Sequence, residues 1–182
     1  MTVQTRRERE RAERQQLIVR TARELAESEG WDAVTTRRLA ELIEYSQPVL
    51  YSHFAGKDEI VAAVALEGFA EMAAALRRRR GLEPVLRAYF GFAEANPALY
   101  DAMFTMSTSL RFAVQETPQP LKDCFEAIRA TLAPVSGTRD LDILTEVVWS
   151  ALHGQILLTR GGRLPEHGKR KRLAMLVEQI TA

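Results

Sequence analysis

Four side chains that can form hydrogen bonds, those of Gln47, Tyr51, Ser52 and His53, lie within one short stretch of the sequence. Gln47 is followed by Pro48 and Val49, so an amide and two apolar groups stand next to each other. A glutamine amide can pair bidentately with adenine, and a small apolar side chain can contact the methyl group of thymine. These residue types at this spacing indicate contacts with the edges of DNA bases.

Hydroxyl and cationic side chains flank this stretch on both sides. Such groups bind DNA phosphates, which fixes the register of a protein on the duplex without reading its sequence. We therefore predict two kinds of DNA contact. Base edges are assigned to Ser46, Gln47, Pro48 and Val49, and phosphates to Thr35, Arg37, Tyr51, His53 and Lys57, with Thr36 as a further DNA contact.

Two short helices and a tight turn are expected to position these groups. Thr35 or Thr36 would cap the first helix, because a side-chain oxygen there accepts from the free N–H groups of the first turn. Ser46 would cap the second helix, whose first turn tolerates a proline. Leu50 and Phe54, four residues apart, would share its buried face. A short, polar second helix that projects after a tight turn describes a DNA-reading helix-turn-helix.

The segment QPVLYSHFAGKDEI, residues 47 to 60, with TTRRLA before it, resembles the DNA-binding region of the tetracycline-repressor (TetR) family of transcription regulators. The match runs from about Thr35 to Ile60. It departs from the family pattern at Glu44, where the turn usually has glycine. Because glycine supplies a positive φ without steric cost, Glu44 is expected either to adopt a mildly strained conformation or to belong to a differently built turn.

The composition is that of an ordinary soluble globular protein. The chain has 182 residues, of which 46% are apolar and 27% charged, and its formal net charge is +1. Near neutrality gives DNA binding only weak support, because affinity for DNA rests largely on neutralised phosphates. Cys124 is the only cysteine, so no intramolecular disulfide can form and a reducing cytoplasm is the expected location. No secretory signal and no membrane span are predicted.

An N-terminal helix is expected from about Thr5 to Ser28, with apolar positions at helical spacing only in its second half. Its first part, RRERERAERQQ, is expected to be a frayed extension that is ordered only on contact with another molecule. Residues 1 to 14 are therefore assigned to an arm that can be disordered. A solvated charged helix end and an arm on the DNA backbone are equally good interpretations.

The rest of the sequence is helical in its spacing, without an alternating strand pattern. A helix from Gly56 to Arg80 would span about 35 Å and could link two domains. Prolines and glycines delimit further helices at residues 82–95, 97–106, 119–133, 139–160 and 166–180. The predicted fold is all-α with about nine helices, comprising a helix-turn-helix domain at residues 1–56 and an effector-binding and dimerisation domain at residues 57–182.

The segments YFGFAEANPALYDAMF, residues 89 to 104, and VVWSALHG, residues 147 to 154, look like the C-terminal domain of a TetR subgroup with a Trp-His-Gly signature, here Trp149, His153 and Gly154. Aromatic and Met side chains in this half could line an apolar cavity for an effector, although at helical spacing such side chains are more often simply core. The predicted pocket residues are Phe69, Met72, Tyr89, Phe92, Met103, Phe104, Trp149 and His153.

The helix predicted at residues 139–160 is apolar nearly all round, which indicates burial on two sides. One side would pack on the chain's own core and the other on a second copy, and Gly154 would permit a close approach there. An isologous dimer also suits a palindromic DNA site. The predicted interface residues are Val147, Gly154, Leu157, Leu173, Leu176 and Val177.

Catalytic motifs are largely absent. The histidines at positions 53, 153 and 167 form no metal-binding pattern, and no nucleotide-binding or serine-hydrolase motif occurs, so we predict no metal, no cofactor and no enzymatic activity. The favoured function is a ligand-responsive repressor that binds a palindromic operator on double-stranded DNA as a homodimer and is released by an unidentified small, hydrophobic effector. The alternatives are an all-α enzyme and a helical adaptor without a DNA function, and the adaptor would leave the exposed polar helix at residues 47–53 unexplained.

Overall fold

The computed structural model describes residues 3–112 and 114–182. These residues contain nine α-helices and no strand, so the predicted all-α class is confirmed. The helices are α1 (Val3–Glu29), α2 (Thr36–Leu42), α3 (Gln47–Tyr51), α4 (Lys57–Arg77), α5 (Leu82–Ala95), α6 (Pro97–Phe104), α7 (Gln119–Leu132), α8 (Leu141–Arg160) and α9 (Lys169–Thr181). Short 3₁₀ turns lie at Trp31–Ala33, Ala133–Val135 and Glu166–Gly168.

Capping interactions and 3₁₀ turns determine where some helices begin, and these starts differ by a few residues from those predicted from the sequence. Helix α5 has the predicted bounds, whereas α8 begins two residues later than expected because Asp140 is its N-cap. The Asp140 carboxylate accepts from the N–H groups of Asp142 and Ile143 at 2.9 and 3.1 Å. Helix α9 begins three residues late because a 3₁₀ turn takes up the preceding residues.

Helix α1 is continuous and includes the residues for which a frayed extension is predicted. Arg6 pairs with Glu10 at 2.8 Å, and Arg9 pairs with Glu13 at 3.4 Å, each four residues further along the helix. Ion pairs at this spacing favour a helix even where it lacks an apolar face. The charged segment is therefore helical through its own side-chain pairing.

The chain forms two compact units. The first comprises Met1–Gly68 and Asn96–Val114, and the second comprises Phe69–Ala95 and Gln115–Ala182. Helices α1 to α3 and α6 belong to the first unit, α5 and α7 to α9 belong to the second, and α4 contributes residues to both. The predicted boundary between residues 56 and 57 divides the chain by function, into a DNA-binding part and an effector-binding and dimerisation part. That functional division stays a prediction.

Within the first unit, helix α6 is held against the end of α1 and the 3₁₀ turn that follows it by three hydrogen bonds. The Trp31 indole Nε1–H donates to the carbonyl oxygen of Ala98 at 2.8 Å. The Glu27 carboxylate accepts from the N–H groups of Ala98 and Leu99 at 3.1 and 2.9 Å. The first N–H groups of a helix have no partner inside the helix, and Asn96 at the N-cap makes no side-chain cap bond. Glu27 therefore caps α6 from a distant part of the chain.

Helices α4 and α6 approach closely at Gly68. A Cβ atom added to this glycine would lie 2.7 Å from Sδ of Met103 and 2.8 Å from Cδ1 of Leu99. Both of these side chains are buried. The absence of a side chain at Gly68 is what allows the two helices to pack at this distance.

Within the second unit, α5 packs against α7, α8 and α9. Its core includes the fully buried side chains of Leu86, Tyr89, Leu132 and Leu152. Cys124 on α7 is also buried, and burial raises the pKa of its thiol to about 12. The thiol is therefore protonated and shielded in the folded unit.

Candidate nucleic-acid interface

Helices α2 and α3 form the predicted pair around a tight turn. The Thr35 hydroxyl oxygen accepts from the N–H of Arg38 at 3.2 Å, so Thr35 is the cap of α2. Leu50 and Phe54 are both buried, as predicted, but α3 ends at Tyr51, so Phe54 lies three residues beyond the helix. The opposite side of the first turn of α3 is open to solvent, where Gln47 is exposed.

Ser46 is at the N-cap of α3, but its hydroxyl makes no capping hydrogen bond, so the predicted cap is wrong in that respect. Pro48 has no N–H to offer. The N–H of Val49 donates instead to the backbone carbonyl oxygen of Ser46 at 3.0 Å. The exposed Ser46 hydroxyl therefore stands beside Gln47 without a capping role.

The turn after α2 is built around Glu44, whose φ is +56°. No other non-glycine residue that the structure describes has a positive φ. The N–H of Tyr45 reaches back to the carbonyl oxygen of Ala40 at 2.9 Å, and the N–H of Glu44 reaches that of Glu41 at 3.3 Å. This is the Schellman pattern of a helix end, which glycine usually completes. Of the two conformations expected for Glu44, the strained one is present.

A hydrogen bond joins the exposed sides of α2 and α3. The hydroxyl oxygens of Thr36 and Tyr51 lie 3.3 Å apart. Both residues were predicted to contact DNA, and the structure brings the first residue of α2 and the last residue of α3 together. Either hydroxyl still has capacity for a second hydrogen bond, as contact with a phosphate oxygen would require.

The predicted phosphate-binding cations have partners within the chain. Arg37 Nε lies 3.0 Å from Oε1 of Glu41, and Lys57 Nζ donates to the carbonyl oxygen of Trp31. The Arg37 pair is exposed, and exposed pairs contribute little to stability, so a phosphate could compete for the guanidinium. An ammonium has three N–H donors, so Lys57 can keep its carbonyl contact while binding a second acceptor.

The His53 side chain differs in charge from the cationic side chains that are predicted to bind phosphate near it. Its Nδ1 atom is buried without a hydrogen-bond partner among the described atoms. Burial lowers the pKa of the imidazole, and the nearby cations Arg11 and Arg14 lower it further. His53 therefore favours its neutral form at neutral pH and would act at a phosphate as a hydrogen-bond donor without charge.

The N-terminal part of α1 contacts the end of α3. An arm on the DNA backbone was one of the two interpretations of this segment, but none of its residues was among the predicted DNA contacts. The Arg11 guanidinium donates to the carbonyl oxygen of Ser52, just after α3, at 3.0 Å. The signal that could have identified the contact is the spacing of Arg11 and Arg14, which continues the face of α1 that carries the buried Ile18.

In the second unit, part of the predicted effector pocket comes together. The Trp149 indole Nε1–H donates to the Tyr89 hydroxyl at 3.0 Å, and the Trp149 and His153 ring centroids are 6.3 Å apart. Burial lowers the pKa of His153. Phe69, Met72 and Phe92 belong to the same unit, whereas the other two predicted pocket residues, Met103 and Phe104, belong to the first unit.

Helix α8 presents an apolar face to solvent. Ile143 is 56% exposed, Val147 59% and Leu158 42%. Apart from the neighbouring backbone of its own helix, a Cβ added to Gly154 would meet nothing within 4 Å. Of the predicted interface residues, Leu157, Leu176 and Val177 are half-buried and Leu173 is buried inside the unit. Three exposed apolar residues, Ile143, Leu158 and Met175, lie outside the predicted set.

Helix α8 is also the one helix in the described ranges that is long and apolar enough to cross a membrane. Only 22% of the most apolar stretch of this helix is buried. A single such helix is weak evidence for a span. An exposed apolar helix face is equally what an interface with another protein requires.

Comparison with known proteins gives a consistent result for both halves of the chain. The family described as "Bacterial regulatory proteins, tetR family" matches residues 18–64. The family described as "Tetracyclin repressor-like, C-terminal domain" matches residues 82–181. Neither description names the Trp-His-Gly subgroup, which stays a prediction.

Individual relatives support the same assignment. The chain is 35% identical to the uncharacterized HTH-type transcriptional regulator YobS of Bacillus subtilis over 95 residues, which are 48% of this chain and 50% of that protein. It is 46% identical to the tetracycline repressor protein class C of Escherichia coli over 48 residues, which are 26% of this chain and 22% of that protein. The matches therefore span half or less of these relatives.

A solved structure resembles most of the chain. A protein of unknown function from Rhodococcus sp. RHA1 has a TM-score of 0.75 and covers 92% of this chain and 93% of its own. The two sequences are 19% identical. At that identity the likeness supports a common fold.

Proposed function

The chain belongs to the tetR family of bacterial regulatory proteins, and from that membership we propose that it is a transcriptional repressor that binds a palindromic DNA operator as a homodimer. The observation that carries the proposal is the first turn of α3. Leu50 and Phe54 anchor this short helix from inside, while Gln47 and Ser46 are exposed at its other side. A helix that buries so little of itself is suited to reading the major groove.

The DNA contacts divide into two groups. Ser46, Gln47, Pro48 and Val49 read base edges, since they start α3 and include a bidentate amide. The phosphate contacts come from α2, the end of α3 and the start of α4, through Thr35, Thr36, Arg37, Tyr51, His53 and Lys57. Because the net charge is only +1, affinity depends on these placed contacts and on two heads binding together.

The dimer forms through α8 and α9. The exposed side chains of Ile143, Val147 and Leu158 lie on one side of α8, and Met175 on α9 is also exposed. Exposed apolar faces of this kind are stabilised by contact with another apolar face. In a two-fold dimer that face is the same surface of a second copy of the chain. The open space at Gly154 supports a close approach of the partner's helix.

The effector binds in the second unit near Trp149, Tyr89 and His153. These side chains offer aromatic surface together with an indole, a hydroxyl and an uncharged imidazole, which suits a small hydrophobic molecule with one or two polar groups. Residues 57–182 hold the effector and dimer sites and residues 1–56 the DNA site. Helix α4 joins these regions along the chain, and successive half-sites lie about 34–36 Å apart, so a small displacement of the heads releases the operator.

The test is a mobility-shift assay with DNA from upstream of the protein's own coding region, using an unrelated fragment of equal length as the control. Preferential binding of the upstream fragment is the expected result. A thermal-shift screen of small hydrophobic compounds, followed by DNA-release assays on the hits, tests the effector. A protein that binds neither fragment would favour the adaptor or enzyme alternatives. We place its action in the cytoplasm, without a cofactor or a membrane partner.

A further inference from the structure

Three arginines form a line along the N-terminal part of α1. Arg7, Arg11 and Arg14 are four and three residues apart, which places them on one face of the helix. Ile18 continues the same line and is fully buried in the first unit. The three arginines therefore extend the inward-facing side of α1 beyond the end of the core, and all three are exposed.

The other arginines of this segment differ in their surroundings. Arg6 and Arg9 lie on another side of the helix, where Glu10 and Glu13 pair with them. No ion pair to a described side chain involves Arg7, Arg11 or Arg14. Glu10 pairs with Arg6 and also lies near the charge of Arg14, so the side with Arg7, Arg11 and Arg14 is the more cationic side of the segment without being free of acidic neighbours.

The cationic side is directed towards the end of α3. Arg11 donates to the carbonyl oxygen of Ser52 at 3.0 Å, which fixes the line next to the recognition helix. Its positive charge and that of Arg14 also act on His53. Because α3 has only five residues and is about 7.5 Å long, Arg11 at its end lies about one helix length from the base-reading turn.

We propose that Arg7, Arg11 and Arg14 form a second phosphate-binding site, which holds the DNA backbone beside the groove that α3 enters. The inference rests on the proposed DNA-binding function and assigns it a surface outside the helix-turn-helix. The line is about 10.5 Å long, which corresponds to about three phosphates of one strand at 3.4 Å of helix axis each. Guanidinium groups suit this role because their N–H donors match phosphate oxygens bidentately.

A purely structural role is the competing explanation for Arg11. A cation at the C-terminal end of a helix stabilises that helix, and its bond to the Ser52 carbonyl has this geometry. Arg7 and Arg14 make no such contact with a described backbone atom. Substituting Arg7 and Arg14 therefore tests DNA binding without removing a contact that supports α3, and the experiment leaves Arg11 unchanged.

The experiment compares Arg7→Gln/Arg14→Gln with the charge-matched variant Arg6→Gln/Arg9→Gln. Glutamine keeps the helix propensity of arginine, and circular dichroism of both variants checks that α1 persists. The affinity for a mixed-sequence DNA duplex of about 30 base pairs is measured between about 50 and 200 mM salt. Each lost phosphate contact reduces the slope of log K against log salt by about 0.9.

The expected result is a slope reduced by about 3.6 in Arg7→Gln/Arg14→Gln, from two contacts in each of two heads, and by less than about one in the control. Equal slopes in the two double variants would overturn the inference, because net charge alone would explain them. Binding without preference for the upstream fragment would count against the proposed function and not against this site. Failure of the unmodified protein to bind any duplex would overturn both.

Discussion

The N–H of Tyr45 donates to the carbonyl oxygen of Ala40 across Glu44, whose φ is +56°. The turn that aims the recognition helix therefore has the hydrogen bonds of a glycine-terminated helix without the glycine. A left-handed conformation costs a non-glycine residue about 1–2 kcal/mol, because its Cβ crowds the following carbonyl oxygen. This strain is stored between α2 and α3.

Replacing Glu44 with glycine is expected to stabilise the protein. The strain is removed, and the greater freedom of glycine in the unfolded chain offsets part of the gain, which leaves about 0.5–1 kcal/mol. The midpoint temperature of thermal unfolding, Tm, should rise by about 2–4 °C for each kcal/mol of added stability in a chain of this size. Glu44→Ala keeps the strain and serves as the control. An equal rise in Glu44→Ala would show that the carboxylate, and not the backbone, is responsible.

Substitutions at Gln47 and Lys57 should have different effects on DNA binding. Gln47→Ala removes a base contact and should relax the preference at one operator base pair by about 1–3 kcal/mol. Lys57→Ala should weaken binding to all sequences and lower the salt slope by about one unit per head. Affinities for operators substituted base by base measure both effects. The assignment of roles would be wrong if the two variants lost affinity equally on operator and random DNA.

Removing the carboxylate of Glu27 should loosen helix α6 within the first unit. Glu27→Ala leaves the N–H groups of Ala98 and Leu99 without their acceptor, which typically costs about 0.5–2 kcal/mol for a helix cap. Urea unfolding measures the loss. Glu24→Ala, one turn earlier, makes the same change of charge without removing a cap. An identical loss in both variants would mean that the charge of α1 matters and the cap does not.

A charge on the exposed face of α8 should prevent dimerisation. Val147→Glu places a carboxylate at a position that is 59% exposed in one copy, so the single chain should still fold. In the proposed dimer the same carboxylate would be buried without a partner, which is strongly unfavourable. Sedimentation equilibrium should then give the monomer mass. Leu42→Glu changes an exposed leucine of the other unit and should leave the mass unchanged. A dimer mass for Val147→Glu would exclude this interface.

Local patterns in the sequence were sufficient to predict most of the helices. The bounds of α5 follow from a glycine before it and an Asn-Pro pair after it, and the burial of Leu50 and Phe54 follows from their spacing. The capping role of Thr35 is equally local, because it involves an N–H only three residues away.

Contacts between distant residues could not be read in the same way. The acceptor that caps α6 is Glu27, 71 and 72 residues before the N–H groups it binds, and no local pattern links them. The failed cap at Ser46 has a different cause, since one donor is missing in Pro48 and the other is taken by a backbone oxygen. At Glu44 the residue type allows two conformations, and only the packed turn selects one.

The reactivity of the buried Cys124 thiol can be used to measure how often the second unit opens. Only a thiolate reacts readily with a maleimide, and this thiol is both protonated and shielded while α7 is packed. Labelling must therefore wait for a transient exposure of the helix, and its rate follows the population of that open state. Because the chain has a single cysteine, one mass-spectrometric time course gives this population without any engineered label. A compound that binds the second unit would slow the labelling, whether or not DNA is present.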